Sequence, residues 1–352
     1  MNGRIIRALI EKDIKVFFSN QFFALITGLA LVAYAGIYFA MPSTVDETVE
    51  MAVFAPALPT VLADSLGDEG VILKNFESKQ ALETAVTDNE YAVGVVIPES
   101  LNQALASGEQ GQIDLYFSPN FPEELKQAYV IFFEEIGYNL SGQKLNIDVH
   151  EEILGVDRAG NQIPQRDKML PLFAVLILTM ETLGLASLIS SEIEAGTLQA
   201  LLITPMRMEG LFVAKGVVGV GLAFIQSLLL MAVTGGLSNQ PLLIILALLL
   251  GSLLVTGLGF LIASVAKDLM SVMSWGIPII LVLAIPAIGL LLPGLTTDWI
   301  KAVPSYYLID TVYGAATLGL GWADVGGNLL PLAAFSLAFM GLGILVLRRK
   351  FQ

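Results

Sequence analysis

Cysteine is absent from the sequence, and histidine occurs once, as His150. The first absence excludes disulfides, thiolate metal sites and cysteine nucleophiles, and it leaves the redox compartment open. The second leaves almost no material for imidazole acid–base chemistry or for a zinc site. Charge is sparse as well. Only 14% of the 352 residues are charged, 55% are hydrophobic and the mean hydropathy is +0.74. A soluble globular chain carries about a quarter charged residues, so a wholly soluble protein is excluded. Cations are the scarcer sign: 18 Lys and Arg stand against 32 Asp and Glu, for a net charge of −14. That balance argues against nucleic acid as a partner, because phosphate binding needs clustered cations. A phosphate-cradling G-x-x-x-x-G-K-[ST] loop is also missing.

What charge there is falls in one place. Residues 42–168 hold 7 Lys/Arg and 22 Asp/Glu, a net of −15, whereas the other 225 residues hold 11 basic and 10 acidic side chains, a net of +1. Outside the acidic insert run apolar stretches long enough to cross a hydrocarbon core of about 30 Å, which takes roughly 20 helical residues. They predict spans at 21–41, 169–190, 211–235, 241–266, 271–293 and 327–347. Six spans put both termini on one side. Arg4, Arg7, Lys12, Lys15, Arg207, Lys215, Lys267, Arg348, Arg349 and Lys350 all fall on that side, and the positive-inside rule makes it cytoplasmic. Lys301 is the exception, and the insert is exempt because long domains translocate largely regardless of charge.

The expected fold is therefore an α-helical polytopic membrane protein with six transmembrane helices and an inserted extracytoplasmic α/β domain, lying in the plasma membrane. Residues 1–20 form a cytoplasmic amphipathic helix, with Ile5, Ile6, Leu9, Ile10, Ile14, Phe17 and Phe18 at helical spacing. Residues 21–41 are the first span and read as a retained signal anchor, since no small-residue cleavage site follows the run. Residues 42–168 are the outer domain and its return linker, and 169–352 a five-helix membrane domain. In the insert, 51–55, 71–76, 91–97 and 112–118 read as strands and 78–88, 99–107 and 122–140 as helices, with Ser78 a start signal. About four strands make a small sheet.

The most informative stretch is 191–205, SEIEAGTLQALLITP. Leu198, Leu201 and Leu202 fall at i, i+3 and i+4 on one face of a short helix that Pro205 stops, Glu192 and Glu194 precede it, and Gly196 permits a sharp turn. By physics alone this is an interfacial helix capping a hairpin between spans. The pattern Glu192-x-Glu194-x-Gly196-Thr197-Leu198-x-x-Leu201-Leu202-x-Thr204-Pro205 closely resembles the signature of the type-2 ATP-binding-cassette (ABC) exporter permeases, and the resemblance covers essentially the whole chain. Lys215-Gly216 and the segment from Pro304 to Asp310 fit the same family pattern; Gln199 stands where relatives commonly carry an acid. The resemblance implies that 191–205 is a coupling helix seated in a separate ATPase subunit, with the three leucines as apolar anchors and the two glutamates as polar contacts. It implies a second permease chain, identical or similar, and ATP with Mg on the partner rather than on this chain.

Few polar groups lie within the spans. Glu181 stands eleven residues before Glu192, about 16 Å along a helix axis, near mid-bilayer. A carboxylate there costs about 2.5–3.5 kcal/mol on insertion scales and must face the bundle interior, a partner or water. Two roles fit: a translocation-path group binding a cation or proton, or a protonated acid bonded to a neighbouring helix, for example through Gln226. Pro278, Pro286 and Pro293 predict kinks in the fifth span. Gly259 with Ala263, and Ala334 with Ala338, offer close helix contacts. Segment 298–319, with Trp299, Tyr306, Tyr307 and Tyr313, reads as interfacial or re-entrant on the outer side, and the resemblance favours re-entrant; its Asp310 lines the outer exit or faces solvent. His150 in an acidic linker reads as exposed.

Three function classes remain in view. The permease of an exporter for an amphiphilic, drug-like, lipid or polysaccharide substrate leads, with membrane lipids around it. A membrane-anchored receptor or assembly scaffold working through the acidic domain is second. An intramembrane enzyme is third and lacks a Ser–His, metal or paired-acid constellation at one depth. No catalytic, cofactor-binding or metal-ligating residue is expected on the chain.

Overall fold

Apolar runs of twenty and more residues with few charges form helices, because in hydrocarbon each backbone N–H and C=O must be satisfied within its own segment. In the computed structural model they do so. It describes residues 3–19, 21–43, 49–56, 71–88, 90–101, 112–118, 123–140, 163–198, 208–291 and 298–350. The chain divides into two compact units, one of Met1–Val45 with Ile163–Gln352, the other of Asp46–Gln162.

The first unit is helical. It contains α1 (Gly3–Ser19) and α2 (Gln21–Ala40). Among the described residues five helices are long and apolar enough to cross a membrane. Four are α5 (Gln165–Glu194), α6 (Met208–Val233), α7 (Pro241–Val265) and α8 (Leu269–Leu291), and the fifth is α10 (Leu329–Arg349), entered through a single turn at Trp322–Val325. The expected six-span count had α2 as its first member. In α2 the apolar stretch described at full side-chain detail is Thr27–Ala40. Helix α5 is buried on nearly every side from Leu170 to Glu192, as suits a helix apolar all round. Helix α8 runs unbroken across Pro278 and Pro286, while Pro293 lies outside the described residues.

Small residues set the closest approach. A Cβ added at Gly257 of α7 would sit 2.5 Å from the Met340 nitrogen of α10, and one at Gly343 2.5 Å from the Gly257 oxygen, so these two helices touch backbone to backbone. This pair does what Ala334 and Ala338 were expected to do; both alanines face outward. Gly259 does pack closely, against the Thr182 carbonyl of α5. At the end of α7, Lys350 Nζ donates to the Ala263 and Ala266 carbonyls at 3.1 and 2.8 Å, satisfying orphan groups of the helix C-terminus. Burial, with Lys267 nearby, holds the Lys350 ammonium below its ordinary pKa.

Short helix α9 (Ser305–Val312) packs among the long ones. Ser305 Oγ donates to the Leu283 carbonyl of α8 at 2.6 Å, and Leu308 lies against Gly251 midway along α7. A π-helical turn, Tyr313–Thr317, continues it.

The second unit holds a four-stranded sheet in the order β2-β1-β3-β4, where β1 is Val49–Phe54, β2 Val71–Asn75, β3 Val93–Val96 and β4 Asp114–Phe117. Strands β2, β1 and β3 are parallel and β4 antiparallel. Period-two alternation divides its faces. Met51, Val53, Val93 and Val95 pack with Phe133 and Ile136 of α4 (Glu123–Leu140), whereas Ala52 and Val96 pack with Leu82 and Val86 of α3 (Lys79–Thr87). Ser78 caps α3 by accepting from the Ala81 N–H at 3.2 Å. The helix expected at 99–107 and His150 fall largely or wholly outside the described residues.

Candidate functional site

An amphipathic helix that must bury one face against a membrane bundle ordinarily presents apolar residues there. In α1 the buried positions are Leu9, Asp13 and Phe17, one stripe at four-residue spacing with a carboxylate at its centre. Ile14 and Phe18, expected in the stripe, are exposed. Two cations compensate it, Lys215 of α6 and Lys12 of α1 itself, and both also serve a second carboxylate, Glu192 of α5. Lys215 Nζ of α6 lies 2.9 Å from Asp13 Oδ2 and 2.6 Å from Glu192 Oε2 of α5. Lys12 Nζ donates to Glu192 Oε1 at 2.7 Å and stands 3.8 Å from Asp13 Oδ1.

Asp13, Lys215 and Glu192 are 0%, 2% and 7% exposed. Two cations and two anions cancel, which is the condition under which charges tolerate burial. Burial pushes the Asp13 carboxyl above its ordinary pKa, and the Lys215 ammonium opposes that push. The quartet joins α1, the last turn of α5 and the first turns of α6 at one point. Asp13 left a signal in the sequence, an acid at i+4 from Leu9 and i−4 from Phe17. Its pairing with Lys215 left none, since that lysine stands on α6, far along the sequence.

Immediately beyond Glu192 the chain turns. Helix α5 ends at Glu194 with Ala195 as its cap, and Gly196 follows at φ +68°, the left-handed conformation that favours glycine after a helix. Thr197 Oγ1 donates back to the Glu192 carbonyl at 3.0 Å. Leu198 is buried against Ile189, Leu211, Phe212, Phe260 and Leu347. Of the motif's charges only Glu194 faces outward. Leu201, Leu202, Thr204 and Pro205 lie outside the described residues.

A second polar cluster lies deeper in the bundle. Thr27 Oγ1 of α2 donates to Glu181 Oε1 at 2.9 Å, and Gln226 Nε2 of α6 donates to the Thr27 carbonyl at 2.7 Å. Glu181 and Gln226 are thus brought together through Thr27, a residue the sequence did not mark. Glu181 Oε2 and Gln226 Oε1 are both buried and have no hydrogen-bond partner among the described residues. Gly184 lies beside both this carboxylate and α1: a Cβ added there would meet Phe17 Cε2 at 2.9 Å and Glu181 Oε2 at 3.9 Å. Asp310 is elsewhere, on α9, half-buried and accepting from Asn328 Nδ2 at 2.7 Å.

The arrangement is a helical membrane bundle whose inner polar groups are few and whose best-connected charges sit at one end, beside a turn with a distinctive sequence. The sequence profile of the ABC-2 family transporter proteins matches residues 21–345 of this chain. The chain belongs to that family. Its members are transporter permeases, and this ABC-2 permease is accordingly a multi-pass membrane protein. No curated protein sequence matches it. Among the described residues of the permease no group of His, Asp and Glu is placed to hold a metal ion.

Proposed function

We propose that the chain is the membrane subunit of an ATP-driven exporter, acting as a pair of such chains with separate ATPase subunits that bind ATP and Mg. Helix α2 is its first span and makes the count six, both termini are cytoplasmic, and the sheet-bearing unit is extracytoplasmic. Residues 191–205 are the coupling helix and 298–319 the outer re-entrant segment. Substrates are amphiphilic, drug-like, lipid or polysaccharide compounds, and Glu181, Gln226 and Asp310 border their route.

The observation that carries this reading is the buried quartet at the root of the motif. A push from an ATPase on the coupling segment after Gly196 reaches Glu192 at once, and Glu192 is tied by charge to α1 and α6. Three helices then move as one body, which is what converting ATPase closure into tilting of spans requires. In this arrangement Glu192 and Leu198 root the coupling helix in the permease and exposed Glu194 faces the partner, while the role of Leu201 and Leu202 as apolar anchors rests on the family resemblance. Mild-detergent purification of the chain with its native partners tests the proposal. An ATPase is expected to copurify with the wild type and to be lost on Leu201→Asp with Leu202→Asp. A dimer that retains no ATPase overturns it.

A further inference from the structure

The close Gly257–Gly343 contact draws α10 onto α7, but no side chain of the described residues fills the space between α10 and α6. There α6, α7 and α10 enclose a groove of about 700 Å³, within the range of built ligand pockets, roughly 300–1,000 Å³. Its walls are almost wholly apolar, with Val217, Val220 and Phe224 on α6, Leu253 on α7 and Ile344 on α10. The shaft is open at Gly221, where an added Cβ would meet nothing within 4 Å.

Polarity enters at one end only. Glu209, in the first turn of α6, and Arg348, in the last turn of α10, both line this end, one from each helix. Both are exposed, and among the described residues neither has an ion-pair partner. From Glu209 to Phe224 the groove follows α6 for about 22 Å, more than half of a hydrocarbon core of about 30 Å. A slot with an apolar shaft at membrane depth and, among the described residues, one cation and one anion at its rim is complementary to a phospholipid with a zwitterionic headgroup.

We propose that this groove is a specific phospholipid site, the acyl chain lying between α6 and α10, the phosphate against Arg348 and the headgroup ammonium against Glu209. The bound lipid wedges α6 and α10 apart where no side chain does. It is a resident component, distinct from whatever the permease transports and independent of the ATPase.

The test uses the full chain reconstituted into vesicles containing equal parts phosphatidylethanolamine and phosphatidylglycerol, extracted, washed to remove loosely held lipid, and analysed by native mass spectrometry. The wild type is expected to retain phosphatidylethanolamine selectively. Gly221→Phe, which fills the shaft while its Cβ clashes with nothing, is expected to lower retention by about tenfold, on the scale of several lost methylene contacts. Glu209→Gln with Arg348→Gln is expected to abolish headgroup selection while leaving a tail-bound lipid. Unchanged retention in Gly221→Phe overturns the site. So does loss of the lipid during turnover with substrate, which makes the groove a transport route. A shift from dimer to monomer in Gly221→Phe with no change in lipid also overturns it, since the groove then holds a second copy.

Discussion

The Lys215 ammonium lies 2.6 Å from the Glu192 carboxylate, at the point where α5 gives way to the Gly196 turn, and the same ammonium holds Asp13 of α1. One cation therefore serves two buried anions, and its removal leaves them facing each other with only Lys12 in reach. Breaking a buried pair by deleting one partner costs about 3–5 kcal/mol, whereas deleting both costs much less. Lys215→Met is expected to lower the thermal midpoint in detergent sharply. Lys215→Met with Asp13→Asn keeps the Lys12–Glu192 pair and is expected to recover most of the loss. Additive effects in this double-mutant cycle would show that the two residues are uncoupled.

Glu192 and Glu194, two residues apart in one motif, are expected to respond differently because one is buried and the other exposed. Glu192→Gln weakens the anchorage of α1 and is read as lower thermal stability of the isolated permease. Glu194→Gln leaves that stability unchanged and is read as weaker ATPase retention, by about threefold to tenfold for an interfacial charge contact. Equal thermal loss in the two variants would contradict the separation.

How much of this was legible beforehand depends on whether the information was local. The long spans and the strands announced themselves through period and length, Ser78 through its place before a helical run, and Gly196 through the need for a turn. Each is a property of neighbours in sequence. The partners of Glu192 and Glu181 were not, because Lys12 and Thr27 reach them only when helices far apart in sequence pack side by side. Residue size alone also misplaced a helix contact: Ala334 and Ala338 are small yet outward, and the approach occurs at Gly257 and Gly343, where even a methyl group is excluded. Asp13 is the instructive intermediate case. Its position within an apolar stripe was visible, and what it required was a buried cation that the stripe could not supply.

Gly257→Ala is expected to force α7 and α10 apart, since its Cβ meets the backbone of Phe339 and Met340 at 2.5–2.6 Å and backbone cannot rotate away. Overpacking of this kind costs about 1–3 kcal/mol. The reading is a lower thermal midpoint, with Gly221→Ala as control, where the added methyl meets nothing within 4 Å and no loss is expected.

Gly196→Ala addresses the turn itself. At φ +68° a Cβ has room, with nothing within 4 Å, but the backbone conformation costs a side-chain-bearing residue about 1–2 kcal/mol. The expense falls on a segment joined to the bundle through Glu192, Thr197 and Leu198, so the turn distorts while the bundle persists. Expected is an inserted, stable permease with reduced coupling: ATPase activity in the reconstituted complex is retained, and transport per ATP hydrolysed falls. A parallel fall in both rates would mean lost association instead, and an unchanged ratio would show that the left-handed turn has no part in transmission.

Glu181→Gln separates the two roles open to the intramembrane acid. Glutamine still offers Thr27 an acceptor, and in place of a second buried acceptor it brings a donor beside Gln226, so the packing of α2, α5 and α6 is expected to hold or tighten. If Glu181 borders the transport route, export by the reconstituted complex falls by about tenfold or more and loses its dependence on pH, because the ionisable group that route passes is gone. Export unchanged across pH in the variant would make Glu181 a structural link between helices and remove it from the route.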